Sequence, residues 1–101
     1  MSTDTATIKK EITKQKFKEP SKYKVIVLND NYTSMEFVTE MFIMIFNYPE
    51  EQAIELTLKV HKEGSAVAGI YTYEIAEQKG IEATNLAREH NYPLVIKIEA
   101  V

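Results

Sequence analysis

The sequence predicts an α/β fold, a small α+β sandwich with the element order strand, helix, helix, strand, helix, strand. Three short runs rich in β-branched and apolar residues are bounded by turn residues, as strands are. Three longer segments between them carry helix start and stop signals. The chain has 101 residues, 45% of them hydrophobic, which suffices for one core and is too short for two domains.

The N-terminal 21 residues differ in composition from the rest. They contain mostly Thr, Lys, Glu and Gln, so ordering them would cost backbone entropy that little apolar burial offsets. We therefore predict a flexible extension over residues 1–21 and a folded domain over residues 22–101. Residues 1–24 hold seven lysines against three acids, a net charge of +4, whereas the remainder holds five basic and twelve acidic residues, a net charge of −7.

Composition argues against several classes of function. A nucleic-acid binder usually carries a basic surface on its folded part, and here that part is acidic. No apolar run reaches about 18 residues and the N-terminus lacks an apolar signal region, so we expect no membrane partner and a cytoplasmic location. The chain has no cysteine, which excludes disulfides, thiol nucleophiles and thiolate metal sites.

The first half of the domain contains one predicted strand and the start of a helix. Tyr23 to Leu28 is β-branched and apolar, and it predicts the first strand. Thr33 and Glu36 form a Thr-x-x-Glu capping box, which predicts that Thr33 caps the following helix. Residues 35–46 are apolar on nearly every helical face, so we expect this helix to be buried on several sides.

The second half supplies two helices and two strands. Pro49 suits the first position of a helix that runs to about Glu63 and stops at Gly64. Residues 65–71 predict the second strand. Thr72 is placed to cap a third helix that reaches about residue 90, although Gly80 inside it costs about 1 kcal/mol relative to Ala. Residues 94–99 alternate as a third strand.

A polar junction stands out where the first strand ends. Asn29 and Asp30 follow directly after the apolar strand, and His61 shares a face of the second predicted helix with Thr57 and Val60, at spacings i, i+3 and i+4. If that face turns toward the junction, an amide oxygen, a carboxylate and an imidazole nitrogen converge. Three acceptors around one point suit a positively charged donor. The apolar floor beside them would consist of Met35, Val38 and Val60.

Other interpretations of these residues remain open at this point. Asn and Asp at a strand end are ordinarily turn residues that bond their own backbone. His61 near a helix end can simply favour the negative end of the helix dipole, and the apolar cluster can be plain core. A triad of Asp30, His61 and Thr33 lacks any feature that fixes an oxyanion hole. Two histidines without cysteine indicate no metal site, and the isolated glycines form no phosphate loop, so no cofactor is expected.

Three segments resemble one family. Residues 29–38, NDNYTSMEFV, are similar to the Asn-Asp-Asp-x-Thr-Pro-Met-Glu-Phe-Val signature of the bacterial ClpS adaptors, and residues 58–64, LKVHKEG, to that family's Val-His-x-x-Gly segment. Residues 69–79, GIYTYEIAEQK, and the dipeptide Pro93-Leu94 also match. These segments occur in order, and together the resemblance covers the chain from about Tyr23 to Val101.

The resemblance implies a fold and a function. The family packs a three-stranded antiparallel sheet against helices and is not enzymatic. It binds substrate proteins that begin with Leu, Phe, Tyr or Trp and delivers them to the ClpA unfoldase of the ClpAP protease. By resemblance, Asn29, Asp30 and His61 capture the substrate's α-ammonium group. Glu74 and Lys79 match positions that touch the unfoldase, and the extension matches one needed for delivery. The residues that would line or border the hydrophobic pocket are Val27, Asn31, Thr33, Met35, Val38, Thr57, Val60 and Leu94.

Three positions depart from the family pattern, and one other family shares the element order. Asn31 replaces an acid and so removes a negative charge near the bound amine, and Ser34 replaces a proline with little expected effect. Thr57 replaces a longer Met, so we expect N-terminal Ile or Val to be accepted better here. The alternative is the C-terminal domain of the ribosomal stalk protein, a translation-factor docking module. That module gives no reason for three acceptors to converge on a pocket.

Overall fold

The computed structural model of the chain describes residues 21–101, so the predicted flexible extension lies outside the described residues apart from Ser21. The elements follow the predicted order. They are β1 (Lys22–Leu28), α1 (Met35–Met44), α2 (Glu50–Glu63), β2 (Ser65–Thr72), α3 (Tyr73–Glu89) and β3 (Val95–Ala100). The predicted α/β class and element order are therefore confirmed, and most boundaries differ by one or two residues.

The sheet has three antiparallel strands in the order β2-β1-β3, so β1 lies in the centre. At its midpoint Val25 pairs with Gly69 of β2 and with Ile98 of β3. The register with β2 shifts between Val25 and Ile26, a β-bulge that increases the local twist. An antiparallel sheet can pack one face against the core and leave the other toward solvent, and this sheet does so. The buried strand residues are Val25, Val27, Ala66 and Ala68.

Helix α1 begins one residue later than the capping box predicts. Its N-cap is Ser34, whose hydroxyl oxygen accepts the backbone N–H of Phe37 at 3.1 Å. The prediction that Thr33 caps the helix is therefore wrong, because the Thr33 hydroxyl is turned toward Asp30. The helix ends at Met44, two residues before the predicted end. Its buried residues are Phe37, Val38, Met41 and Phe42.

Helix α2 packs against α1 and β2. Pro49 was predicted as its first residue and is instead its N-cap, with an extended backbone. The predicted stop at Gly64 is confirmed: Gly64 has φ 90°, a left-handed conformation that glycine adopts without steric cost. Its N–H donates to the carbonyl of Val60, which closes the helix end.

Helix α3 lies across the sheet and contacts all three strands. Thr72 is its N-cap as predicted, although the Thr72 side chain makes no capping hydrogen bond. Gly80 is buried against β3, and a Cβ there would lie 3.3 Å from the Cδ1 atom of Ile98. The glycine that looks costly for the helix therefore permits close helix-to-sheet packing.

Candidate functional site

The polar junction lies beside the end of α2. The backbone N–H of Asn29 donates to the carbonyl of Gly64 at 2.9 Å, which extends the pairing of Leu28 with Ser65 by one residue. Asn29 therefore sits next to the last turn of α2, the turn that contains His61. Both Asn29 and His61 are exposed, so their side chains are available to a ligand. The convergence of the Asn29, Asp30 and His61 side chains on one point remains a prediction.

Asp30 organises the loop between β1 and α1. Its Oδ1 accepts the backbone N–H groups of Tyr32 and Thr33 at 2.8 and 2.7 Å, and its Oδ2 accepts the Thr33 hydroxyl at 2.7 Å. The interpretation of Asp30 as a turn residue therefore holds. A carboxylate has about four acceptor positions, so three contacts leave one position on Oδ2 for a further donor.

The environment of Asp30 favours its charged form. Partial burial by itself raises the pKa of the Asp30 carboxyl, but the hydrogen bonds from Thr33 and Tyr32 and the positive charge of Arg88 outweigh it. The net effect lowers the pKa below its ordinary value of 3.8. Asp30 is thus a fixed negative charge at neutral pH, held in position by its own loop.

Arg88 is a residue of this region that the sequence motifs did not single out. Its Nη1 donates to the carbonyls of Tyr92 and Leu94 at 2.8 and 2.9 Å, which fixes the turn from α3 into β3. Asn91 in that turn has φ 63°, a conformation that Asn tolerates better than most residues. A basic residue in the last turn of a helix, followed by Asn-x-Pro, is the signal that points to this role.

Tyr92 ties the same turn to the start of α1. Its hydroxyl donates to the hydroxyl oxygen of Ser34 at 3.1 Å, and its ring packs against Phe37 with centroids 5.0 Å apart. The helix cap and the β3 turn thus support each other. Tyr32, in the loop, is 78% exposed and forms a groove of about 520 Å³ together with residues of this turn, namely Arg88, Asn91, Tyr92 and Pro93.

Most of the predicted pocket residues lie in the core beneath the junction. Met35, on the first turn of α1, is 41% exposed, Asn31 is exposed and Thr33 is half-buried. The other apolar members are 5% exposed or less and belong to one hydrophobic cluster. These core members are Val27, Val38, Val60 and Leu94.

Thr57 is 3% exposed and is the one buried polar side chain of the described core. Its hydroxyl oxygen lies 2.8 Å from the carbonyl oxygen of Ala53 and 2.8 Å from the hydroxyl oxygen of Thr39 on α1. Sequence reasoning missed Thr39. The signal was the lone hydroxyl residue of this helix, whose sequence is MEFVTEMFIM.

The two residues predicted to touch an unfoldase differ in their surroundings. Glu74 is exposed in the first turn of α3. The ammonium group of Lys79 donates to the carbonyl of Ile45 at 2.8 Å, and it lies 5.9 and 5.8 Å from the ring centroids of Phe46 and Tyr71. Lys79 therefore also stabilises the C-terminal end of α1.

Two negative findings concern residues 21–101 only. No helix in this part of the chain is long and apolar enough to cross a membrane. Within the same residues, no three His, Asp or Glu side chains are grouped in a way that would hold a metal ion.

Comparison with known proteins identifies the family. Residues 18–97 match the family described as ATP-dependent Clp protease adaptor protein ClpS. The ClpS adapter of Sodalis glossinidius is 44% identical over 95% of this chain and 91% of its own length, and that of Treponema denticola is 47% identical over 89% of each. The structure of Agrobacterium tumefaciens ClpS2 bound to L-phenylalaninamide superposes with a TM-score of 0.80 at 38% identity. The matched region covers 82% of this chain and 100% of the ClpS2 chain.

The match decides between the two families that share this element order, because it covers the motifs at the β1–α1 junction and at the end of α2 as well as the fold. An adaptor passes substrates to a protease and has no catalytic role of its own. The chain described here belongs to the ClpS family of ATP-dependent Clp protease adaptors.

Proposed function

We propose that this chain binds proteins with a bulky hydrophobic N-terminal residue and delivers them to a ClpA-type unfoldase of the ClpAP protease. The observation that carries the proposal is the Asn29 to Gly64 hydrogen bond, which puts the acceptor-rich loop next to the turn that contains His61. The L-phenylalaninamide bound by the Agrobacterium relative has the chemistry of such a substrate. Its amine represents a free N-terminus, its benzyl group the first side chain, and its carboxamide the first peptide bond.

In the proposed complex the substrate's α-ammonium group meets Asn29, Asp30 and His61. An α-amine has a pKa near 7.7 to 8.0, so it is largely charged at neutral pH and donates up to three hydrogen bonds. The carboxylate of Asp30 is ionised and has one acceptor position to spare. A blocked or internal residue brings no ammonium group, and acceptors that a bound peptide covers without pairing them cost about 1 to 3 kcal/mol.

The first side chain of the substrate would enter between Met35 and the buried residues beneath the junction. Burying a Leu or Phe side chain contributes roughly 1.5 to 3 kcal/mol. Neither this contribution nor the amine contacts suffices alone, so the site selects for both features. The bordering side chains are those of Val27, Asn31, Thr33, Met35, Val38, Thr57, Val60 and Leu94.

The deciding experiment compares peptides that differ only at the amine. A Leu-initiated peptide with a fluorescent label at its C-terminus is titrated with the full chain, next to the same peptide with an acetylated N-terminus and one that begins with Asp. Acetylation should lower the affinity at least tenfold, and the Asp peptide should bind equally weakly. Equal affinity for the free and acetylated peptides would exclude the amine site.

Delivery is the second half of the proposal and needs its own assay. Degradation of a Leu-initiated reporter by ClpAP should require this chain, and a Glu74→Lys variant should bind the peptide normally but deliver it poorly, because Glu74 is exposed on α3 and absent from the proposed pocket. A Glu77→Lys variant, on the same helix and also exposed, is the matched control. If both variants deliver equally well, Glu74 has no role at the unfoldase.

A further inference from the structure

A pair of threonine hydroxyls joins α1 to α2. Thr39 Oγ1 lies 2.8 Å from Thr57 Oγ1, which is the distance of a direct O–H···O hydrogen bond. Each hydroxyl also reaches a carbonyl of its own helix: Thr39 reaches Met35 at 2.9 Å and Thr57 reaches Ala53 at 2.8 Å. The three contacts form one chain from carbonyl to carbonyl across the two helices.

The proton count constrains this chain. Two hydroxyl groups carry two protons, whereas three contacts each require one. Two arrangements make the bridge: Thr39 donates to Thr57 and Thr57 to Ala53, or Thr57 donates to Thr39 and Thr39 to Met35. The third, in which each hydroxyl donates to the carbonyl of its own helix, would leave two oxygen atoms 2.8 Å apart with no proton between them, which is unfavourable. In both of the first two arrangements the interhelix hydrogen bond is made, so the oxygen of Thr57 stays in the seam between the helices.

Holding that oxygen also fixes the rest of the Thr57 side chain. In a helix, threonine divides between two rotamers, because its hydroxyl can bond the carbonyl one turn back. The bridge selects the rotamer in which Oγ1 faces Ala53 and Thr39. The chirality of Cβ then determines where the methyl group points. Thr39 therefore adds to the Ala53 carbonyl in keeping the methyl branch of Thr57 directed away from the seam.

We propose that Thr39 is a specificity-determining positioning residue, which keeps the Thr57 hydroxyl in the α1–α2 seam so that the methyl group of Thr57 borders the proposed pocket. This inference rests on the proposed function. A hydroxyl that is retained in the seam leaves an apolar wall with room for a substrate branched at Cβ. Without the bridge, the Thr57 hydroxyl is held by the Ala53 carbonyl alone, so the rotamer that turns it toward the pocket becomes accessible, and substrate side chains branched at Cβ lose more contact than Leu does.

The test measures a ratio of affinities. Leu- and Ile-initiated peptides are titrated against the wild-type chain, Thr39→Val and Thr39→Ser. Valine has the shape of threonine, but its methyl group cannot remain 2.8 Å from the Thr57 oxygen, so the Leu-to-Ile affinity ratio should rise at least threefold. Serine retains the hydroxyl and should keep the ratio within twofold of wild type. A general loss of stability would weaken both peptides together and leave the ratio unchanged.

Two further variants complete the design. Thr39→Ala also removes the hydroxyl and is used in place of Thr39→Val if the valine variant does not fold. It should likewise raise the Leu-to-Ile affinity ratio. In a Thr57→Val background the Thr39→Val change should no longer move the ratio, because no hydroxyl is left to misplace. An unchanged ratio in a folded valine or alanine variant overturns the role of Thr39. Failure of wild type to distinguish free from acetylated peptide would instead overturn the proposed function.

Discussion

Replacing Ser34 by Ala is expected to destabilise the domain substantially, because one hydroxyl serves two partners. The Ser34 oxygen accepts the N–H of Phe37 and the hydroxyl of Tyr92, each at 3.1 Å. Loss of an N-cap costs about 1 kcal/mol, and removing the acceptor of a half-buried hydroxyl costs roughly 0.5 to 1.5 kcal/mol more. The sum is about 2 kcal/mol, which corresponds to a fall in melting temperature of roughly 8 to 16 °C for a domain of this size.

The assay is thermal and guanidinium unfolding followed by circular dichroism. Tyr92→Phe removes only the second partner, so Ser34→Ala and Tyr92→Phe form a double-mutant cycle with an expected coupling of about 0.5 to 1 kcal/mol. Thr33→Ala is the matched control, since Thr33 is adjacent and its hydroxyl bonds Asp30 instead of the helix end.

Two results would refute this reasoning. A Ser34→Ala variant within about 0.5 kcal/mol of wild type would mean that the cap contributes far less than caps usually do. A larger loss of stability in Thr33→Ala than in Ser34→Ala would mean that the Thr33–Asp30 hydrogen bond, and not the Ser34 cap, dominates the stability of this helix start.

The remaining predictions concern Asp30 and two glycines. The pKa of Asp30 is lowered below 3.8 in the folded state, so its contribution to stability is fully present above the pKa of the unfolded state and is lost as the pH falls through the lower pKa of the folded state. Asp30→Asn should therefore lose less stability between pH 5 and pH 2 than wild type. Parallel curves of unfolding free energy against pH would contradict this. Gly69→Ala should lower the free energy of unfolding by about 1 to 3 kcal/mol, because a Cβ there overlaps the ring of Tyr71. Gly80→Ala should change it by no more than about 1 kcal/mol, because the higher helix propensity of Ala offsets a close contact with the flexible end of Ile98. Equal losses in the two alanine variants would refute that contrast.

The elements were predictable because their signals are local. The apolar β-branched run ahead of Asn29 and the left-handed stop at Gly64 each follow from a few neighbouring residues, and both appear in the structure. Local signals also explain why the capping box predicts the start of α1 one residue too early. Thr33 and Ser34 are both capable caps, and only the loop geometry imposed by Asp30 turns Thr33 away.

The site was less predictable where it depends on long-range contacts. The motif residues at the junction follow from the sequence. The turn contacts of Arg88 are local, but its charge acts on Asp30 in a different loop, and Thr39 meets Thr57 on a different helix, so these two long-range effects do not follow from it. Thr57 illustrates the same limit. Its spacing from His61 predicts which face of α2 it lies on, but its contact with Thr39 depends on how α1 packs against α2.

The central position of β1 has a mechanical consequence. The chain enters the described domain at Lys22, and Asn29 follows the other end of the strand, roughly 20 Å away for seven residues. Along this length β1 is paired on both sides, and the N–H of Val101 also bonds the carbonyl of Lys22. A pulling force on the chain ahead of Lys22, directed along the strand, would load both ladders in shear, so that many hydrogen bonds share the load at once. The domain should therefore resist extraction from that end more strongly than it would if its first strand lay at an edge, where bonds can be peeled apart singly.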